Sequence, residues 1–78
     1  MSIKCTVDAQ GLVCPLPLLK ARQGLSHLQI GECLEVLSTD GGSIQDFHRM
    51  IKLTGNTLVL FEEDAQVYRY IIRKGKKI

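Results

Sequence analysis

The residues able to do covalent chemistry gather in Gly11-Leu12-Val13-Cys14-Pro15-Leu16-Pro17, which runs directly into the amphipathic segment Leu18-Leu19-Lys20-Ala21-Arg22. One cysteine thus sits where a strand-like segment hands over to a helix. With Cys14 as the helix N-cap, Pro15 becomes N1, where a missing N–H costs nothing and the fixed φ already suits the helix. Pro15 also pushes Cys14 out of the α region, as an N-cap requires. Pro17 at N3 removes a second N–H and leaves the amides of Leu16 and Leu18 as the free donors near the sulfur. Two unpaired amides and the positive end of a helix dipole stabilise a thiolate. A nucleophilic or sulfur-carrying cysteine can be made this way without a neighbouring base. Because Leu16 precedes a proline, a tight or slightly distorted first turn is expected.

The elements that position this cysteine follow from periodicity. Residues 3–7 alternate, with Ile3, Cys5 and Val7 on one side, as in a half-buried strand whose Cys5 is a small core residue. Residues 8–11 form the loop leading to Cys14, and Gly11 can take a backbone angle that other residues avoid. From Pro15, the positions Leu18, Ala21, Leu25 and Leu28 recur at helical spacing, which predicts a first helix ending before Gly31. Gly24 inside it costs about 1 kcal/mol against alanine and marks a close packing contact. His27 stands roughly 20 Å along that helix from Cys14, at 1.5 Å per residue, too far to be its base. It reads as a surface histidine.

Residues 32–38 make a second strand, with Leu34 and Val36 facing one way and Cys33, Glu35 and Leu37 the other, less protected way. Strand, helix and strand imply a parallel crossover. Thr39-Asp40-Gly41-Gly42 reads as a plain turn, since a phosphate cradle would need a lysine and a fuller glycine pattern. Ser43-Ile44-Gln45-Asp46 resembles a capping box, and Ile44, Phe47 and Ile51 mark the buried face of a second helix closed by Gly55. His48, beside that stripe, reads as a packed or half-exposed residue. Residues 56–61 and 67–73 form a hairpin around a turn at 62–66. Tyr68, Tyr70 and Ile72 share one face of its last strand, opposite Arg69, Ile71 and Arg73. The expected architecture is an α/β two-layer sandwich of order β-α-β-α-β-β, a four-stranded mixed sheet with two helices on one face.

A chain of 78 residues supports one domain over 1–78 with a single core. Its composition, 45% hydrophobic and 23% charged, excludes disordered and fibrous classes. No apolar leader or membrane-length run is seen, which points to a cytoplasmic protein. Cys5, Cys14 and Cys33 form no C-x-x-C pair, against a zinc site or a disulfide framework. The net charge is +2, and the basic excess collects in Arg73, Lys74, Lys76 and Lys77. A solvated tail is the plain reading of that run, and contact with an acidic partner or an RNA backbone is the alternative.

At these residues the chain resembles the TusA/SirA/YedF sulfur-carrier family. The resemblance rests on Asp8-Ala9-x-Gly11-Leu12-x-Cys14-Pro15-x-Pro17, on the turn containing Asp40, and on Tyr68-Arg69-Tyr70-Ile71-Ile72-Arg73-Lys74. It implies the same β-α-β-α-β-β sandwich, with Cys14 carrying sulfur as a persulfide. That sulfur would come from a cysteine desulfurase or a rhodanese-like donor and go to an acceptor protein, for tRNA 2-thiolation, molybdenum-cofactor supply or sulfur oxidation. Gly11, Pro15 and Pro17 carry over as the structural half of the motif, and no metal or organic cofactor is implied. Leu16 departs from the acidic residue typical of the tRNA-thiolation branch, and Gly41-Gly42 replaces a proline-containing turn.

On this reading Cys14 is a covalent carrier rather than a stand-alone turnover enzyme, and specificity comes from docking surfaces. The candidate partner contacts are Leu16, Lys20, Arg22, Asp40, Arg69 and Arg73, on a chain expected to be a monomer. The competing reading is a regulatory or interaction module, with Cys14 as a helix cap and the basic C-terminal strand and tail binding protein or RNA. A redox-sensing cysteine is a third reading, with neither Cys5 nor Cys33 an evident resolving partner.

Overall fold

The computed structural model describes residues 3–76. Lys77 of the basic tail and the first two residues of the sequence lie outside them. Strand β1 (Ile3–Ala9) leads through a loop to helix α1 (Leu16–Ser26), then β2 (Cys33–Ser38), a single 3-10 turn (Gly41–Ser43), helix α2 (Ile44–Leu53), and the hairpin of β3 (Thr57–Asp64) and β4 (Val67–Arg73). The sheet order is β1-β2-β4-β3, with β1 parallel to β2 and the other neighbours antiparallel. This is the expected α/β architecture, a four-stranded mixed sheet with two helices.

Alternation along β2 and β4 explains where the core sits. Leu34 pairs with Ile72 and Val36 with Tyr70, and all four side chains are buried with Ala21 and Leu25 of α1 and Phe47 and Ile51 of α2. Phe47 stacks on Tyr70 with ring centroids 4.4 Å apart. Burial, with lesser contributions from Tyr68 and Asp40, pushes the Tyr70 hydroxyl up to about 12. Gly24 makes the expected close approach: a Cβ there would stand 2.9 Å from Val7 Cγ2 and 3.1 Å from Leu34 Cδ1.

Several local expectations change. Helix α1 starts one residue later, with Pro15 rather than Cys14 at the N-cap and Pro17 at N2, and the Cys14–Pro15 peptide is cis. The helix ends at Ser26, so Leu28 is buried just beyond it. Cys5 is exposed, although its register opposite Leu34 sets it on the core-side face, because β1 is an edge strand and is irregular between Ile3 and Cys5. Cys33 is buried, because β2 is flanked by β1 and β4. The hairpin loop shrinks to Ala65-Gln66, with φ of 51° and 67°. Two positive φ values give the turn hand that matches strand twist. Glu62, predicted as turn, instead extends β3, where it pairs opposite Arg69 and accepts a 3.0 Å hydrogen bond from Nη1.

On the second face of the sheet, Arg69 Nε also donates to Glu35, which accepts from Thr6 Oγ1 at 2.8 Å. The Arg69 and Thr6 donors hold the Glu35 carboxyl below the usual range. Arg69 therefore braces three strands rather than standing free for a partner. Within the basic run, Lys74 is likewise part of the fold. Lys74 exchanges backbone hydrogen bonds with Gly31 and Glu32, each 2.8 Å, and its Nζ donates to the Leu25 carbonyl at 2.7 Å, near the negative end of α1. The tail's plain reading as solvated chain fails at Lys74.

Candidate functional site

The two parallel strands β1 and β2 end side by side, and the loops that leave them are tied together. Gly11, with φ of 82°, donates its N–H to Thr39 Oγ1 at 2.8 Å. Three residues later the Cys14 N–H donates to Asp40 Oδ2, also at 2.8 Å. The same carboxylate accepts the buried Ser43 hydroxyl at 2.6 Å and the Gly42 N–H at 3.1 Å. These donors, Ser43 first and then Cys14 and Gly42, hold the Asp40 carboxyl below the usual range against a partial loss of hydration. Asp40, expected as a partner contact, is the internal brace that fixes the backbone of Cys14.

Ser43 is the α2 N-cap, but its hydroxyl faces Asp40 and makes no capping bond. The expected capping box is therefore absent, and Asp46, its fourth member, turns to the cysteine. The Cys14 thiol donates to Asp46 Oδ2 across 3.8 Å. The expectation of a sulfur faced by two free amides and no carboxylate is overturned here. The Leu16 N–H is taken up by the Val13 carbonyl at 2.9 Å, in a turn that forms because the helix begins after Pro15. Asp46 had a signal in the sequence: it stands in the first turn of the helix that follows the strand parallel to β1, where loops from adjacent parallel strands converge.

Cys14 is exposed, and exposed apolar residues neighbour it along the chain. Val13 is 65% exposed, Leu16 46% and Leu19 53%. Leu16 and Leu19, three residues apart on one helical face, line a shallow cleft with Lys20, Arg22 and Gln23. Pro17 is buried beneath this turn while Pro15 and Gly11 are exposed. Val13 and Leu19 were not singled out from sequence, since an isolated apolar residue does not reveal its exposure. Arg73 pairs with Cys33 at the opposite end of β2 from Cys14, so the structure does not bring it to this site. A second cleft of about 210 Å³, between Arg22, Met50, Asn56 and Lys74, lies toward the C-terminal end of α1. Its amide and ammonium are taken up by Thr54 and the Leu25 carbonyl. Among the described residues, no three His, Cys, Asp or Glu side chains are grouped to hold a metal ion. Nor is any helix among them long and apolar enough to cross a membrane.

Comparison with known proteins points the same way as the site. The family model described as sulfurtransferase TusA matches residues 5–74. The sulfur carrier protein TusA of Allochromatium vinosum is 41% identical over 69 residues, 88% of this chain and 91% of that one. The crystal structure of a SirA-like protein from Desulfitobacterium hafniense superposes with a TM-score of 0.80 at 31% identity, covering 92% of this chain and 99% of that one.

Proposed function

The chain belongs to the TusA sulfurtransferase family, and from that membership we propose that it is a sulfur carrier that holds sulfane sulfur as a persulfide on Cys14. The observation that carries this reading is the setting of Cys14: exposed, on a backbone pinned by Asp40, and flanked in the chain by the exposed apolar residues Val13 and Leu16 that a docking protein would cover. The sulfur donor is a cysteine desulfurase or a rhodanese-like protein, and the acceptor is a second protein. The relay would work in the cytoplasm, within tRNA 2-thiolation, molybdenum-cofactor supply or sulfur oxidation.

The transfer step balances without an oxidant. Cys14 loses its thiol proton, and Sγ attacks the terminal sulfur of the donor's cysteine persulfide. A new S–S bond forms on Cys14 as the donor's S–S bond breaks. The electron pair leaves on the donor cysteine sulfur, which takes up a proton. The same exchange, with the acceptor's thiolate attacking the outer sulfur, unloads the carrier. Val13, Leu16 and Leu19, with Lys20 and Arg22 beside them, form the docking rim. No further catalytic machinery is required of a chain whose partners supply specificity.

The test is intact-protein mass after incubation with a cysteine desulfurase and free cysteine, for the wild type and for Cys14→Ala, Cys5→Ala and Cys33→Ala. The expected result is a gain of one sulfur, reversed by reductant and lost only in Cys14→Ala. The exposed Cys5 is the internal control, because exposure alone would load it equally. No gain on the folded wild type, with either a desulfurase or a rhodanese-type donor, would leave family membership without this activity.

A further inference from the structure

Asp46 stands in the first turn of α2, half-buried, with Oδ2 placed to accept the hydrogen of the Cys14 thiol across 3.8 Å. It reaches the sulfur from a different element, 32 positions away in sequence. Both partners are held by one bonded unit: Asp40 fixes the Cys14 backbone, and Ser43, bonded to Asp40, begins the helix that carries Asp46. We propose that Asp46 restrains the empty carrier by keeping the hydrogen on the Cys14 sulfur, so that the thiol stays idle until a partner docks. The inference rests on Cys14 being the sulfur-bearing residue.

The physical reason is local charge. While sulfur keeps its hydrogen, the contact is a donor facing an acceptor. Once the hydrogen leaves, the contact becomes two like charges within about 4 Å, which oppose one another across a partly covered surface. Asp40, bonded to the Cys14 N–H, adds a second carboxylate near the site, although its charge is shared among three donors. The charged groups of α1 nearest in sequence are the exposed cations Lys20 and Arg22, and neither makes an ion pair among the described residues. A docking protein that covers or neutralises Asp46 would remove the restraint where transfer occurs.

The experiment measures alkylation of Cys14 by iodoacetamide at pH 7 in a Cys5→Ala background, comparing Asp46, Asp46→Asn and Asp46→Glu at low and high salt. With the anion removed, Asp46→Asn should react roughly three- to tenfold faster at low salt. The gap should narrow in about 1 M salt, and Asp46→Glu should stay within about twofold of the parent, because a restored charge should restore the restraint. An unchanged or slower Asp46→Asn would overturn the proposal, and a slower one would make the carboxylate a proton acceptor instead. A faster Asp46→Asn that Asp46→Glu shares would also overturn it, since loosened packing would then be the cause. Should Asp46→Asn not fold, Asp46→Ser is read by the same criteria. Sulfur loading of the same proteins by a desulfurase separates the two readings. Loading with unchanged alkylation defeats only the restraint; responsive alkylation without loading defeats only the carrier.

Discussion

Asp40 and Asp46 are two carboxylates of one site with different tasks. Asp40 accepts three hydrogen bonds and connects the loops that follow β1 and β2, so its charge is a structural part. Its folded carboxyl lies below the ordinary value of 3.8, chiefly through the Ser43 hydroxyl. A depressed carboxyl contributes stability that is full above its unfolded value and is lost as pH falls through the lower folded one. Asp40→Asn should therefore lower Tm by a few degrees at pH 7, with the deficit closing as pH falls below the ordinary 3.8 and through the lower folded value, where aspartic acid and asparagine carry the same charge. Thermal melts of both proteins between pH 7 and pH 2 check this; a deficit independent of pH would mean that the charge contributes nothing. Asp46, by contrast, touches the sulfur itself. Asp40's role was not legible in the sequence, and Asp46 left only a topological signal, its place in the first turn of the helix after the strand parallel to β1. Asp40 read as a turn residue and Asp46 as a helix cap because local pattern reports on neighbours in the chain, whereas both contacts join residues more than 25 positions apart.

At the scale of elements, the sequence was most legible where one face of an element is buried. Leu34 and Val36 in β2, and Phe47 and Ile51 in α2, recur at the right periods and do form the core. Periodicity cannot tell an edge from a centre, and so Cys5 and Cys33 exchange their expected environments: alternation is the same in β1, which has one neighbour, and β2, which has two. Turn chemistry misled as well. Ala65-Gln66 carries no glycine or asparagine, yet both residues take positive φ. The cross-strand pair Glu62–Arg69 sets the register that requires this turn. Changing both turn residues together, Ala65→Asn with Gln66→Gly, should stabilise the fold by about 1 kcal/mol in urea unfolding, since L residues resist this conformation and asparagine and glycine accept it. Gly24→Ala tests the opposite balance. Alanine is favoured in a helix by about 1 kcal/mol, but its Cβ would meet the stiff Val7 side chain and the fully buried Leu34. Overpacking of about 1–3 kcal/mol should prevail, leaving a net loss near 1 kcal/mol. A stabilised Gly24→Ala would show that β1, the edge strand, yields.

The whole molecule divides its surface between structure and contact. The second face of the sheet is cross-linked by Thr6, Glu35, Arg69 and Glu62, and Lys74 ties the C-terminal segment to α1. Arg69 and Lys74 thereby have structural roles, which weakens the reading of that strand as a binding surface at those two positions, while Arg73 and Lys76 stay exposed. At the Cys14 end the opposite holds. Val13, Leu16 and Leu19 expose apolar surface without cover, and Lys20 and Arg22 stand beside them without ion-pair partners among the described residues. Flanking charges mainly set how fast and with whom a protein docks, whereas apolar contacts set how long it stays. Lys20→Glu combined with Arg22→Glu should therefore slow sulfur loading from a protein donor by roughly tenfold at low salt, with the deficit reduced as salt is raised. Loading from inorganic polysulfide, which needs no docking face, should stay within about twofold of the wild type, because the contacts at Cys14 itself are unchanged. Equal slowing with both donors would trace the effect to the thiol, and no slowing with the protein donor would move the docking face away from α1.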